Sequence, residues 1–215
     1  MQFSILTTFP DYFSSPLESS IIGRAIATKK ITVSLVDIRE FATDTHRTTD
    51  DRPFGGGPGM VMKIEPIDTA LESVILGKPI QPRKILLSAR GKRLDQNDVM
   101  RLSGYTSIVL VCGHYGDVDQ RVAQHLVDEE LSVGDFVLTG GEPAALIILD
   151  AVTRLLPGVL QNQVSMMGES HSEPGVTSPP SYTRPADYRG WQVPPVLLSG
   201  NQAAIDRWKK EFPSD

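Results

Sequence analysis

The segment from Ser132 to Leu160, SVGDFVLTGGEPAALIILDAVTRLLPGVL, constrains the fold more than any other part of the chain. A short apolar run, a glycine pair and an apolar helix follow one another there with no room for a linker. The pattern predicts a short buried strand over Phe136, Val137 and Leu138. It then predicts a turn at Thr139-Gly140-Gly141-Glu142 and a helix that takes Pro143 as its first residue and continues through the periodic residues Ala144–Leu156. A turn so poor in side chains lets a small ligand approach bare backbone N–H and C=O groups. It equally suits an ordinary strand-to-helix connection whose glycines serve only the turn, and local chemistry leaves both readings open.

At 215 residues and 40% hydrophobic content, the chain is large enough for one α/β domain with a small appendage. Its single cysteine, Cys112, excludes an internal disulfide framework, and the context VLVCG makes it a core thiol at the end of a buried strand. No apolar run approaches the roughly 20 residues of a membrane span, and Met1–Pro10 lacks a basic region followed by an apolar core. A cytoplasmic protein with no membrane partner is expected. The formal charge of −5 argues against a surface coated in positive charge for nonspecific nucleic-acid binding, yet the cations are clustered. Arg83, Lys84, Arg90, Lys92 and Arg93 occur without an intervening acid, and Arg184, Arg189, Arg207, Lys209 and Lys210 gather near the C-terminus. Each group reads either as a solvated face or as a phosphate contact.

Along the chain, Gln2–Thr7 reads as a strand, Ser20–Lys29 as a helix and Ile31–Asp37 as a second strand, the alternation of a βαβ unit. Phe41–Met62 breaks the rhythm as a long irregular loop, well beyond the roughly 2–6 residues usual for such connections. Ile64–Leu76 returns to helix, Lys84–Ser88 to strand, Asp95–Ser103 to helix and Ser107–Cys112 to strand. The expected organisation is a main domain over 1–160, a Ser-, Gly- and Pro-rich linker over 161–180, and a small terminal unit over 181–215 that includes Trp191–Leu198 and Ala203–Lys210. The run Phe54-Gly55-Gly56-Gly57-Pro58-Gly59 is not a phosphate loop, because no Lys-Ser/Thr follows in the required frame. His46, Arg47, Asp50, Asp51 and Arg52 precede it, as a polar surface for a base or phosphate or as a braced surface loop. Four histidines and one buried cysteine give no metal-ligand spacing, so no metal ligands are assigned.

Seven motifs occur in the order found in bacterial tRNA (guanine-N1)-methyltransferases: HRTTDDRPFGGGPGM at His46–Met60, LLSARG at Leu86–Gly91, VCGHY at Val111–Tyr115, SVGDFVLTGGEPAAL, DAVTRLLPGVL, YTRP at Tyr182–Pro185 and VPPVLLSG at Val193–Gly200. The chain resembles that family over nearly its whole length. The resemblance implies a SPOUT-class α/β methyltransferase domain with a deep C-terminal trefoil knot, a small, shortened helical C-terminal unit and a homodimer. Periodicity does not reveal a knot, and base rates oppose one. The resemblance also implies S-adenosylmethionine as methyl donor, held by Leu87, Ser88 and Gly113 and by Val133, Gly134, Asp135, Phe136, Val137, Leu138, Gly140 and Gly141. The implied substrate is guanosine 37 of tRNA, just 3′ of the anticodon, where position 36 is also G. His46, Arg47, Asp50, Arg52 and Tyr115 are the residues assigned to it.

Guanine N1 carries a proton at neutral pH, so its methylation needs a base for that proton and a cation for the charge growing on O6. By resemblance the cation is Arg154, in DAVTR; read without the family, Arg154 would pair with Asp150 one turn earlier. The family's base is an aspartate followed by serine a short way after PGVL, and this chain has Glu169 there. Where the family reads GRYEG[IV]D, this chain reads Gly113-His114-Tyr115-Gly116-Asp117-Val118-Asp119, without the arginine and without the glutamate linked to magnesium use. Asp117 is the neighbouring carboxylate, and magnesium stays open as a second cofactor. The chain ends at Asp215, soon after Trp208-Lys209-Lys210, where relatives usually continue with a basic helix that contacts tRNA. Two function classes remain: an active tRNA guanine-N1 methyltransferase, and an RNA-binding SPOUT homologue with weakened or lost catalysis. Arg154 together with a carboxylate at 169 favours the enzyme. A Rossmann oxidoreductase is disfavoured because no G-x-G-x-x-G follows the first strand.

Overall fold

The computed structural model describes residues 1–77, 79–160, 169–171 and 176–211. Two compact units divide the chain, Met1–Gln161 and Asn162–Asp215. The first is built on a five-stranded parallel sheet in the order β2-β1-β6-β5-β8, from β1 (Gln2–Thr7), β2 (Thr32–Asp37), β5 (Arg83–Arg93), β6 (Ser107–Cys112) and β8 (Glu129–Ser132). Strand β6 is buried along its whole length, as a central parallel strand covered on both faces must be. Alternate residues of the sheet feed two cores. Phe3, Ile5, Ile85, Leu87, Ile108, Leu110 and Cys112 pack with the helices α1 (Ser14–Glu18), α2 (Ser20–Ala27), α4 (Gln96–Ser103) and α5 (Glu142–Thr153). Leu6, Leu86, Val109 and Val111 pack with Ile67, Ala70 and Leu71 of α3 (Ile64–Ile75). Cys112 is fully buried, and that burial holds its thiol well above the usual pKa, in keeping with a core role.

Several expectations need correction. The run Phe136–Leu138 is not a buried strand: it is a bent, exposed stretch between β8 and α5. The strand in this region is β8 itself, whose sequence EELS hides its pairing behind two carboxylates. Helix α5 begins at Glu142, so Pro143 is its second residue, and it ends at Thr153 with Arg154 as C-cap instead of running on to Leu156. Phe41–Met62 is not irregular throughout. It carries β3 (Asp50–Asp51) and β4 (Val61–Met62), which pair antiparallel, and β4 adds β7 (Asp117–Val118) in parallel. Between β3 and β4, Gly55, Gly56, Gly57 and Gly59 adopt left-handed φ with open space where a Cβ would stand, and Phe54 is fully exposed.

The cations of Arg83–Arg93 serve structure more than they serve a phosphate surface. Strand β5 extends past Ser88 to Arg93, and its register against β8 shifts between Leu87 and Lys92. The intervening Ser88–Gly91 bulges out. Gly91 is obligatory there, because a Cβ would overlap the backbone of Glu130 and Leu131. Arg83 pairs with Glu129 at 2.8 Å, Lys92 with Asp98 at 2.8 Å, Arg90 with Asp117 at 3.0 Å and Arg93 with Asp135 at 3.1 Å. Arg101 joins Asp98 (3.1 Å) to Glu129 (2.7 Å), so one network ties α4 to β5 and β8.

Asp98 is buried and closes a capping box with Asp95 at the start of α4. Burial alone would raise the Asp98 and Glu129 carboxyls, but Lys92 and Arg101 for the first, and Arg101 and Arg83 for the second, hold both below their ordinary values. The unfolded chain therefore binds protons first as pH falls. This stabilisation is complete above the ordinary carboxylate range and is lost as pH falls through the lowered values of the folded protein. Replacing Asp98 with alanine should cost about 2 kcal/mol at neutral pH, measured by urea unfolding, and should flatten the acid limb of the stability profile.

The second unit holds a hairpin of β9 (Asp187–Tyr188) and β10 (Trp191–Gln192), followed by α6 (Pro195–Leu198) and α7 (Gln202–Lys210). The expected linker falls largely at residues 161–168 and 172–175, which lie outside the described residues.

Candidate active site

At the C-terminal ends of β6 and β8 and beside the bulge in β5 lies a cavity of about 310 Å³, the side of the sheet where parallel α/β sheets usually bind ligands. Its walls come from three chain segments that the sheet brings together: the Ser88–Arg90 bulge after Leu87, the Gly113–Val118 turn after β6, and the stretch from Leu131 to Gly141. Of the residues assigned to the methyl donor, Leu87, Ser88, Gly113, Val133, Phe136, Val137, Leu138, Gly140 and Gly141 line it, and so does Tyr115. Gly134 and Asp135 do not: Gly134 is tied to the Ser132 hydroxyl, and Asp135 points to Arg93. His46, Arg47, Asp50 and Arg52 are not among the lining residues. Asp50 pairs with Met62 in the small sheet, and the other three are exposed. Ala89, Arg90, His114, Asp117, Thr139 and Ala144 also line the cavity but are absent from the sequence assignment. A basic residue paired with an acid across the fold leaves no local signal.

Two glycines make the cavity possible by letting backbones touch. The Gly141 N–H donates to the Gly113 carbonyl at 2.7 Å, and a Cβ on Gly141 would stand 2.7 Å from the Cys112 Cα. His114 and Gly140 form a β-bridge, and a Cβ on Gly140 would overlap the Glu142 carboxylate and the His114 ring. A side chain at Gly140 therefore breaks the turn itself as well as obstructing the cavity. A small ligand with hydrogen-bonding edges, such as a nucleoside, fits a wall built from backbone in this way.

The mouth carries its own contacts. Arg90 grips Asp117 through both guanidinium nitrogens at 3.0 Å, a bidentate pair between the β5 bulge and β7. Tyr115 sits at φ 62°, and its hydroxyl accepts from Arg39 at 2.8 Å while its ring meets His114 edge-on. Arg154 caps α5, with its backbone N–H donating to the Asp150 carbonyl at 3.1 Å. Glu169 belongs to the second unit. That unit has a groove of about 840 Å³ lined in part by Tyr182, Arg184, Trp208, Lys209 and Lys210, which gathers three of the C-terminal cations beside two aromatic rings.

The family described as tRNA (Guanine-1)-methyltransferase TrmD matches residues 1–214. The chain belongs to this family. It is 49% identical over 211 residues to the tRNA (guanine-N(1)-)-methyltransferase of Geobacter sulfurreducens, covering 98% of this chain and 85% of the relative. It is 50% identical over 214 residues to that of Trichormus variabilis, with the same two coverages. Among solved structures, the tRNA (m1G37) methyltransferase of Aquifex aeolicus matches with a TM-score of 0.78 and 41% identity, over 97% of this chain and 87% of that one. Family membership makes the chain an enzyme, a tRNA (guanine-N1)-methyltransferase.

Proposed function

We propose that this cytoplasmic enzyme methylates N1 of guanosine 37 in tRNAs that also carry G at position 36, using S-adenosylmethionine bound in the cavity between Leu87 and Gly141. The match to the methyltransferase family along almost the entire chain carries this reading. When bound, S-adenosylmethionine supplies a methyl group made electrophilic by its sulfonium. The backbone of Gly113, Leu138, Gly140 and Gly141 holds the nucleoside part and fixes the donor for in-line displacement. Glu169 takes the proton from guanine N1, and Arg154 meets the charge that builds on O6. Magnesium fits these residues poorly. Asp117 has both oxygens committed to Arg90, and no cluster of three or more metal-ligating side chains occurs among the described residues.

A homodimer and a knotted donor domain complete the proposal. The dimer is supported by Phe136, Val137 and Ile147, apolar residues that stand exposed beside the cavity and on α5. For the knot the support is the family likeness alone. The Tyr182–Trp208 groove with Arg184, Lys209 and Lys210 suits the tRNA backbone and bases. Mass spectrometry of bulk tRNA from cells with and without this gene tests the activity. N1-methylguanosine should disappear from position 37 of G36-containing tRNAs when the gene is lost; its persistence would overturn the assignment.

A further inference from the structure

Beneath the cavity lies a buried acid that the methyl-transfer chemistry does not use. Glu142, the first residue of α5, is 2% exposed and reaches two other chain segments. The Thr7 hydroxyl, at the end of β1, donates to its Oε1 at 2.7 Å and itself accepts from the Phe9 N–H at 2.9 Å. The Glu142 Oε2 faces His114 Nδ1 at 3.5 Å, and that buried nitrogen has no hydrogen-bond partner among the described residues. The outer side of the histidine is packed by Phe9, centroid to centroid 4.5 Å, and by the edge of Tyr115 at 5.0 Å. His114 also lines the cavity and bridges to Gly140, whose missing Cβ is what allows the Glu142 carboxylate and the imidazole to approach each other.

We propose that Glu142 is a positioning residue for the methyl-donor cavity, acting through His114 to hold the Gly113–Tyr115 turn against the Thr139–Gly141 turn. The inference rests on the reading of the cavity as the donor site. A buried carboxylate is costly unless its oxygens are occupied; the Thr7 hydroxyl occupies Oε1, and the His114 imidazole is the polar group that faces Oε2. Those two contacts set the spacing of the walls. The 3.5 Å gap is slightly longer than a hydrogen bond, so the contact is free to shorten when a ligand presses the two turns together. Glu142 touches neither reacting group. Its effect therefore falls on donor affinity and not on the chemical step.

The test is a double-mutant cycle read by calorimetric titration with S-adenosylhomocysteine, using the wild-type protein, Glu142→Gln, His114→Gln and the double variant. Each single variant should weaken binding about tenfold, and the double variant should be no weaker than about the worse single one, because both remove the same contact. In steady-state methylation the donor KM should rise while the KM for tRNA and kcat stay near wild type. Additive losses, or wild-type affinity in a folded Glu142→Gln protein, would overturn the proposal. Should Glu142→Gln fail to fold, His114→Gln, whose side chain is 22% exposed, decides alone, and unchanged donor affinity there overturns the proposal equally. Absence of binding to the wild-type protein would instead remove the donor-site reading on which the inference stands.

Discussion

Glu169→Gln is expected to slow single-turnover methylation of a G36-G37 tRNA transcript by at least about 10²-fold while leaving donor affinity nearly unchanged. The amide keeps the size and hydrogen-bonding reach of the carboxylate and removes only its capacity to accept the N1 proton. Glutamate reaches one methylene further than the aspartate of the family pattern, and a misplacement of about 1 Å can cost about 10²-fold in rate. Glu169→Asp therefore separates two histories. A slower Asp variant means the surrounding backbone has adapted to the longer side chain; a faster one means the glutamate is a weakened base. A Glu169→Gln enzyme with the wild-type rate would move proton abstraction to another residue. Asp117, the next carboxylate in sequence terms, is a poor successor because Arg90 holds it in a bidentate pair.

Arg154→Ala should reduce the rate by about 10²- to 10³-fold, the usual consequence of removing one group that stabilises a developing oxyanion. The residue caps α5 at the end of an apolar helix whose buried face is locked by Ile148, Leu149 and Val152, so the substitution leaves the core intact. Mixing Arg154→Ala with Glu169→Ala adds a test of assembly. If the two groups meet across subunits, heterodimers contain one intact site, and activity returns to a fraction of wild type. A fully active protein of monomeric mass in sedimentation would contradict the dimer.

The parallel sheet is readable because Ile108–Cys112 is a continuous apolar run and Phe3, Ile5 and Leu6 supply the apolar part of β1; Gln2–Thr7 and Ser107–Cys112 match their strands to the residue. Helix α4 matches the predicted Asp95–Ser103 except that Asp95 is its N-cap, closing a capping box with Asp98. Strand β8 is not readable, because its first two residues are acids, and Glu129 looks like a surface acid until Arg83 and Arg101 are brought beside it. The converse error occurred at Phe136-Val137-Leu138. Three apolar residues in a row read as buried, yet all three are exposed in the single chain and border a cavity. Of the residues assigned to the donor, Gly113, Gly140, Gly141 and the apolar Val133 and Phe136–Leu138 line the cavity, while Asp135 turns to Arg93. Arg90 and His114 line it without a local signal, because their neighbours Asp117 and Glu142 are distant in sequence.

The ion pairs along β5 also bear on how the enzyme responds to salt. A lysine or arginine already matched with a carboxylate neutralises no phosphate and releases no counterion when nucleic acid arrives. Arg83, Arg90, Lys92 and Arg93 are all matched in this way, so they contribute little to the slope of log affinity against log salt concentration. That slope is left to cations elsewhere, among them Arg184, Lys209 and Lys210 around the Trp208 groove. On the proposed function, raising ionic strength therefore weakens tRNA binding through the C-terminal unit and leaves donor binding almost indifferent, because the charged lining residues Arg90 and Asp117 are paired with each other.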